Sequence, residues 1–293
     1  MKSGLITIVG RPNAGKSTLT NTLCGAKVAI VSNKPQTTRN RISAVAYYDD
    51  VQLVLMDTPG FHKPKNKLDD VMQRTVNESM LDVDALVLVV EPVARIGKPE
   101  GILLERIKAM GVPCVLVINK IDTLPRQELL SVLQLYAEQY DFTAMIPLSA
   151  RTGNGVDALK QELAKLMPEG PQLFPDGMVT DQPDQQYACE IVREKLLWAL
   201  NQEIPHGIAC VCEQWEESAG LLSIGVTIVC ERESHKSIVI GKQGSVLKKV
   251  GEQARIELEK FFNCKVFLET WVKVRKNWRD SQAHVRSYGY TVE

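Results

Sequence analysis

A chain of 293 residues, 44% apolar and 24% charged, is long enough for two ordinary domains with a core each, and its composition excludes the disordered and fibrous classes. Its longest purely apolar run, Ala85 to Val90, is far short of the roughly 18 residues of a membrane span, and Met1 to Gly4 is too short for a signal peptide, so a cytoplasmic protein is expected. Net charge is zero, yet Asp184–Glu231 holds eight acidic and two basic residues whereas Arg232–Arg286 holds thirteen basic and six acidic, a block of net +7 of the kind that forms polyanion surfaces.

Residues 5 to 167 alternate apolar runs with helix-like stretches: LITIVG at 5–10, ISAVAYY at 42–48, VQLVLMD at 51–57, ALVLVV at 85–90, VPCVLVIN at 112–119 and AMIPLS at 144–149. Most lack polar alternation, as strands buried on both faces do. The predicted fold class is α/β, a mixed sheet with helices on both faces, followed by a smaller α+β domain. Only the Asp49-Asp50 turn separates 42–48 from 51–57. That leaves no room for a crossover helix, so the pair is predicted to be an antiparallel hairpin at one edge.

Directly after the first strand comes Gly10-Arg11-Pro12-Asn13-Ala14-Gly15-Lys16-Ser17, with the spacing G-x-x-x-x-G-K-[ST], opening a helix expected over 17–23. The backbone N–H groups of such a loop and of the following Thr18 wrap phosphates at a helix N-terminus. Lys16 reaches the β and γ oxygens, and Ser17 ligates Mg2+. Asp57-Thr58-Pro59-Gly60 ends the strand at 51–56; a carboxylate there holds the magnesium through water, and Gly60 offers its N–H to the γ-phosphate. Asn119-Lys120-Ile121-Asp122 ends the strand at 115–118. Asp122 accepts the N1 and N2 hydrogens of guanine, whereas adenine would leave it unpaired, which selects GTP over ATP. Ser149-Ala150 stands where a backbone N–H meets the guanine carbonyl.

Carried by GRPNAGKS, DTPG and NKID, residues 5 to 167 resemble the translation-factor-related GTPases. The resemblance implies a loop after the first helix that brings a Thr to magnesium and senses the γ-phosphate. The matching stretch is NKPQTTRNR at 33–41, with Thr38 favoured over Thr37. Arg39 and Arg41 beside it read as surface charges rather than catalytic fingers. Ras-like GTPases place a glutamine after the switch glycine to orient the attacking water. Here Phe61 follows Gly60 and cannot hydrogen-bond that water, so the chain resembles the hydrophobic-substituted GTPases, with slow intrinsic hydrolysis. Asn13, by resemblance, implies a potassium ion beside the β and γ phosphates in place of an arginine finger; the plainer reading is a turn residue. Lys16, Gly60 and Asn13 are the residues expected to act on the reacting phosphate, and His62 reads as a bystander.

Pro168, Pro171, Pro175 and Pro183, with Gly170 and Gly177, break any continuous helix or sheet. The expected division is a nucleotide domain at 1–170, a linker at 171–183, and a second domain with a C-terminal tail at 184–293. Seven cysteines without a C-x-x-C pair read as packed thiols. The second domain reads α-β-β-α-α-β. Its IGKQG at 240–244 shares Gly and Lys with the first loop, but two residues separate the glycines where a P-loop needs four, and Ser245 follows directly. The setting between the helical turn SIVI and a helix from Ser245 matches the G-x-x-G loop of KH domains, which clamps the backbone of single-stranded nucleic acid.

Residues 188 to 275 resemble a type II KH domain, with Ile238, Ile240, Gly241, Lys242, Gln243, Gly244, Lys248 and Lys249 as the expected RNA contacts. Trp271, Lys273, Arg275 and Lys276 read first as core or solvated surface and second as RNA contacts. A GTPase domain with this switch, joined by a Pro-rich linker to a type II KH domain, resembles the Era family across nearly the whole chain. That resemblance implies GTP/GDP with Mg2+, the 3′ end of small-subunit (16S) ribosomal RNA as partner, and a role in assembling the 30S subunit, in a chain expected to be a monomer. Relatives also associate peripherally with the inner face of the cell membrane, although no lipidation motif or basic amphipathic anchor stands in this sequence. The competing reading is a signalling GTPase whose second domain binds a protein partner or the membrane surface. The loops expected to move with the nucleotide are 33–41 and 57–70. Hydrolysis is expected to run faster in potassium than in sodium at matched ionic strength, and equal rates would remove potassium from Asn13.

Overall fold

The computed structural model describes residues 1–201 and 204–291, with Arg126 described in its backbone alone. In chain order the first domain runs β1 (Lys2–Gly10), α1 (Lys16–Cys24), β2 (Ile42–Tyr48), β3 (Val51–Asp57), α2 (Lys67–Ser79), β4 (Ala85–Val90), α3 (Lys98–Met110), β5 (Cys114–Ile118), α4 (Arg126–Ala137), β6 (Ala144–Pro147) and α5 (Val156–Leu166). Its six-stranded sheet has the order β2-β3-β1-β4-β5-β6. β2 pairs antiparallel with β3 at the edge, while the other neighbours are parallel. Every residue of β4 and β5 is buried, which explains their unbroken apolar runs: helices cover both faces, leaving no solvent side for polar residues to alternate onto. The chain turns to opposite sides of β1 to form β3 and β4. The crevice at the carboxyl end of β1 is therefore the place where a doubly wound sheet binds ligand.

The second domain follows as α6 (Asp184–Ala199), β7 (Ala209–Ser218), β8 (Leu221–Cys230), α7 (Glu233–Ile240), α8 (Ser245–Phe262) and β9 (Lys265–Val274), with α9 (Gln282–Ser287) after it. The first six elements keep the predicted order. β8 lies between an antiparallel β7 and a parallel β9, and α6 and α8 pack on one face over Ile191, Leu196, Val226, Ile228, Ala254 and Leu258. Along β9 the even positions Val266, Leu268 and Val272 join this core. The period of two then sends Phe267, Trp271 and Lys273 to the opposite face.

Two segments are more tightly built than their sequence announces. The proline-rich stretch forms no helix or strand of its own, but it is not a loose tether. The Val45 N–H donates to Val179 O at 2.9 Å, and the buried Gln52 side chain accepts from the N–H groups of Leu173 and Phe174 while donating to Phe174 O. The stretch is thereby laid along the β2 edge. The tail is likewise a packed element: Trp278 is fully buried, its indole N–H donates to Gly207 O at 2.9 Å, and it packs with Val285 and Tyr290 against Leu68 and Met72 of α2. Residues 278 to 290 thus join the two domains. A lone Trp in a charged, strandless tail carries no periodicity from which this could be read.

Candidate nucleotide site and nucleic-acid interface

At the carboxyl end of β1, Gly15 takes φ 98° and starts α1, so the loop's N–H groups and the helix dipole converge on one crevice. A cavity of about 400 Å3 opens there, lined among others by Gly15, Lys16, Ser17, Thr18, Thr38 and Gly60. The Lys16 ammonium is tied back to Gly10 O at 3.2 Å and Arg11 O at 2.9 Å. Burial lowers its pKa to about 8 against the pull of Asp57, and phosphate oxygens would reverse that penalty. The Arg11 side chain points away, to Glu100 at 3.0 Å and Glu91 at 3.5 Å, and the Thr58 hydroxyl donates to Ile8 O. Neither side chain is turned to the crevice, so only their backbones serve it. Gly60 is required by close approach: a Cβ there would stand 2.6 Å from Pro12 Cα.

Two hydroxyls and a carboxylate meet beside Lys16. The Ser17 and Thr38 hydroxyls are 2.7 Å apart, and both Asp57 carboxylate oxygens are buried without a hydrogen-bond partner. Burial pushes the Asp57 carboxyl up to about 6, opposed by the nearby Ser17 hydroxyl and Lys16. Hard oxygen donors around an unpaired buried carboxylate fit Mg2+, which would supply the missing positive charge and polarise the phosphates. Thr37 is turned elsewhere, its hydroxyl donating to Lys34 O at 2.7 Å with Ser32 Oγ also 2.7 Å away.

At the base end, Asn119 clamps the loops. Its Nδ2 donates to Ala14 O at 2.8 Å, and its Oδ1 accepts from the N–H groups of Lys120 and Ala150. The Ser149 N–H donates to Asn154 O at 2.9 Å. Both N–H groups expected to meet the guanine carbonyl are thus engaged, and a base must share one. Asp122 accepts from Ser149 Oγ and from the exposed Arg151, each at 2.6 Å. The guanidinium engages the carboxylate from the solvent side, and solvent screens so exposed a pair, so it holds Asp122 only weakly.

The switch after Gly60 turns inward. Phe61 is 6% exposed and packs among Val76, Met80 and Leu88, with the Arg106 guanidinium 4.8 Å above its ring. It leaves the phosphate side open and contributes nothing polar to it. His62 donates from Nδ1 toward Gly60 O at 2.8 Å and sets Nε2 3.3 Å from Asp69, while Gln36 reaches both His62 and Asp69. Burial pulls the imidazole pKa down, but the Asp69 carboxylate and the Gly60 carbonyl outweigh it and the net shift is upward. His62 therefore latches the 33–41 loop to α2. Asn13, at φ 64°, donates to Asn33 O at 3.1 Å, and Lys120 Nζ reaches its carbonyl at 2.6 Å.

One expectation fails outright. Arg39 is 2% exposed; it donates to Ile208 O at 2.6 Å, His206 O at 3.0 Å and the Tyr290 hydroxyl at 3.1 Å. It is an anchor between domains, neither a surface charge nor a finger. Sequence reasoning missed it because the acceptors are carbonyls of residues far along the chain, which leave no pattern.

In the second domain Gly241 and Gly244 both take positive φ, 76° and 77°, and the loop turns from α7 into the N-terminus of α8. A Cβ on Gly241 would stand 2.5 Å from Val246 Cγ2. Beside the loop lies an open groove of about 710 Å3 between α8 and β9, lined by Gly244, Lys248, Arg255, Leu268 and Thr270, with Leu247 and Gly251 on its floor. Positions 247, 251 and 255 are spaced by four, one face of a helix, a signal that was present in the sequence. Ile238, Lys242 and Gln243 are exposed near the loop and Ile240 is half-buried. Lys249 is exposed but does not line the groove. Trp271 and Lys273 face the other side of the sheet, where the indole lies over Gly225 and Lys273 pairs with Glu213 at 2.9 Å.

Replacing Asp122 with Asn exchanges one acceptor oxygen for a donor. It is expected to weaken GTP and GDP by at least about 30-fold, roughly 2 kcal/mol or more, while improving the relative binding of xanthine nucleotides. Calorimetric titration of both bases checks this.

Two family models match the chain: MMR_HSR1, described as a 50S ribosome-binding GTPase, over residues 5–120, and a KH domain over residues 203–279. The chain is 47% identical over 291 residues to the GTPase Era of Clostridium kluyveri, covering 99% of each. It is 46% identical over 290 residues to that of Clostridium perfringens, covering 99% of this chain and 98% of the other. Among solved structures it superposes with a TM-score of 0.96 and 37% identity on an Aquifex aeolicus Era variant bound to GDP·AlF4−, covering 99% of this chain and all of that one. A TM-score of 0.96 and 36% identity, over 99% of both chains, relate it to Era in complex with MgGDPNP and nucleotides 1506–1542 of 16S ribosomal RNA. With the nucleotide crevice and the G-x-x-G groove on one polypeptide and full-length relatives well above 30% identity, this chain belongs to the Era family of GTPases.

Proposed function

We propose that this GTPase binds single-stranded RNA at the 3′ end of the small-subunit ribosomal RNA through the groove between α8 and β9, and that it assists assembly of the small subunit as its nucleotide state changes. The observation that carries this reading is the open groove beside Gly241–Gly244, on the same chain as a complete nucleotide crevice. The two domains stand in the arrangement of the relative that holds both MgGDPNP and 16S RNA, as the TM-score of 0.96 over 99% of both chains requires. The large-subunit description attaches to a match over residues 5–120 alone, which does not include the RNA groove.

In this reading Lys16 and the N–H groups of the 10–18 loop and Gly60 stabilise the reacting phosphate, and Ser17, Thr38 and Asp57 hold Mg2+. Asp122 reads the guanine. Potassium belongs beside Asn13, whose left-handed backbone points its carbonyl and side chain to the crevice rim. Lys242, Lys248 and Arg255 meet RNA phosphates, and the exposed Ile238 offers an apolar surface to a base. No helix among the described residues is long and apolar enough to cross a membrane. A protein or membrane partner for the second domain remains the competing reading, and salt separates the two.

With about three phosphates neutralised, RNA binding by the full chain should fall with salt at a log–log slope of about −2, or ~15-fold between 50 and 200 mM. Gly241→Asp should abolish it, through the forced contact with Val246 and a new negative charge, while leaving GDP affinity unchanged. Purified 30S particles should compete for the chain and 50S particles should not. Salt-independent binding, or capture by 50S alone, would refute this reading.

A further inference from the structure

The loop from Val31 to Asn40 is held less by the domain that contains it than by the other one. Glu194 of α6 accepts from the Val31 N–H at 2.8 Å, and the Trp198 indole donates to Val31 O at 3.0 Å. Lys34 reaches Asn201 at 3.1 Å. The decisive contact is further along: Arg193, whose side chain is fully buried, donates from Nη2 to the carbonyl of Thr37. Glu190 braces the same guanidinium, accepting from Nε at 2.7 Å.

The residue after Thr37 is the one whose hydroxyl meets Ser17 at 2.7 Å beside Asp57, and the residue after that is Arg39, seated on His206, Ile208 and Tyr290. Positions 37 and 39 are thus fastened to the second domain and the tail, and 38 is delivered between them. Thr37 has no freedom to compensate, because its own hydroxyl is spent on Lys34 O and Ser32. We propose that Arg193 is a positioning residue for GTP hydrolysis: from the second domain it fixes the Thr37 carbonyl and so sets the Thr38 hydroxyl toward the metal and γ-phosphate. The inference rests on the GTPase activity of the family and not on the RNA partner.

The electrostatics suit a clasp that opens. Burial and the nearby Arg193 charge disfavour the Arg39 guanidinium, whereas Glu190 outweighs burial at Arg193, and Arg39 Nε and Arg193 Nη1 are buried without partners. A buried ion pair with unfilled donors adds little net stability. It specifies an arrangement that can be released.

The test uses the full chain with Arg193→Met, which keeps an unbranched apolar stem and removes the donors. In this proposal Thr38 acts on the nucleotide through magnesium and the γ-phosphate, which GDP lacks. The expected result is therefore a kcat lowered about 10-fold, a Mg2+ concentration for half-maximal rate raised several-fold, and GDPNP binding weakened about 10-fold with GDP binding unchanged within twofold. Arg193→Lys, which keeps the charge and a donating ammonium, should recover part of each. Wild-type kcat, Mg2+ dependence and GDPNP-to-GDP ratio in a folded Arg193→Met chain would overturn the proposal. So would an equal loss of GDP and GDPNP with unaltered Mg2+ dependence, the signature of a merely structural contact. If Arg193→Met does not fold, Glu190→Gln, which loosens the guanidinium without removing it, is read by the same criteria. A smaller shift in the same direction supports the proposal, and wild-type values sink it.

Discussion

A half-buried stretch of backbone with no helix or strand of its own must find partners for its shielded N–H and C=O groups elsewhere, and the loop from Val31 to Asn40 finds several of them on the other domain. Its Val31 N–H and C=O go to α6, its Thr37 carbonyl goes to Arg193, and Asn40 Nδ2 donates to Gly289 O at 3.0 Å. The opposite side of the same loop presents Thr38 to the oxygens that fit magnesium. One segment therefore satisfies two domains at once. In the proposed function, a rearrangement that a γ-phosphate imposes on Thr38 would be felt at the domain junction, and movement of the second domain would be felt at Thr38.

The junction also reaches the RNA side through a single rigid element. The face of α8 that carries Lys248 and Arg255 lines the groove. Two residues past Arg255, Glu257 pairs with Lys195 of α6 and with Lys27, just before the shared loop. Lys27 and Lys195 also meet Glu194, at 2.6 and 2.7 Å, the residue that holds the Val31 N–H. Spatial continuity of this kind gives a physical route between the sites. It becomes coupling only when both ligands bias the same element. The two glycine loops at the ends of this route share residue types but, in the proposed function, would hold phosphates differently: the first would wrap a terminal phosphate to be cleaved, and the second would let an intact backbone pass close over Gly241 and Gly244.

What could be read in advance was whatever the chemistry of a short segment dictates. The G-x-x-x-x-G-K-S spacing, the Asp57 and Asn119 strand ends, the edge hairpin and the G-x-x-G turn each rest on a few adjacent residues whose geometry is local. The groove face at 247, 251 and 255 follows from helical phase, whereas the charge of Lys249 lies off that face. The role of Arg39 was not legible: its partners are carbonyls 167 to 169 positions away and a tyrosine 251 away. Trp278 and Tyr290 were hidden in the same way, since a tail that packs as a wedge between domains has neither period two nor period 3.6. Long-range polar contacts decide how the two domains sit, and those are the contacts that sequence patterns do not encode.

The central claim is that the nucleotide crevice and the RNA groove are linked through the shared loop, and linkage demands reciprocity. The direct measurement is a closed cycle on the full chain: affinities for GDPNP and GDP, each with and without a saturating single-stranded RNA of the 16S 3′-terminal sequence, and RNA affinity in each nucleotide state. The account predicts that RNA raises the GDPNP-to-GDP preference by about fivefold or more, and that GDPNP raises RNA affinity over GDP by the same factor. An unchanged preference, with RNA bound equally in both nucleotide states, would mean that the two domains touch without communicating and would contradict it.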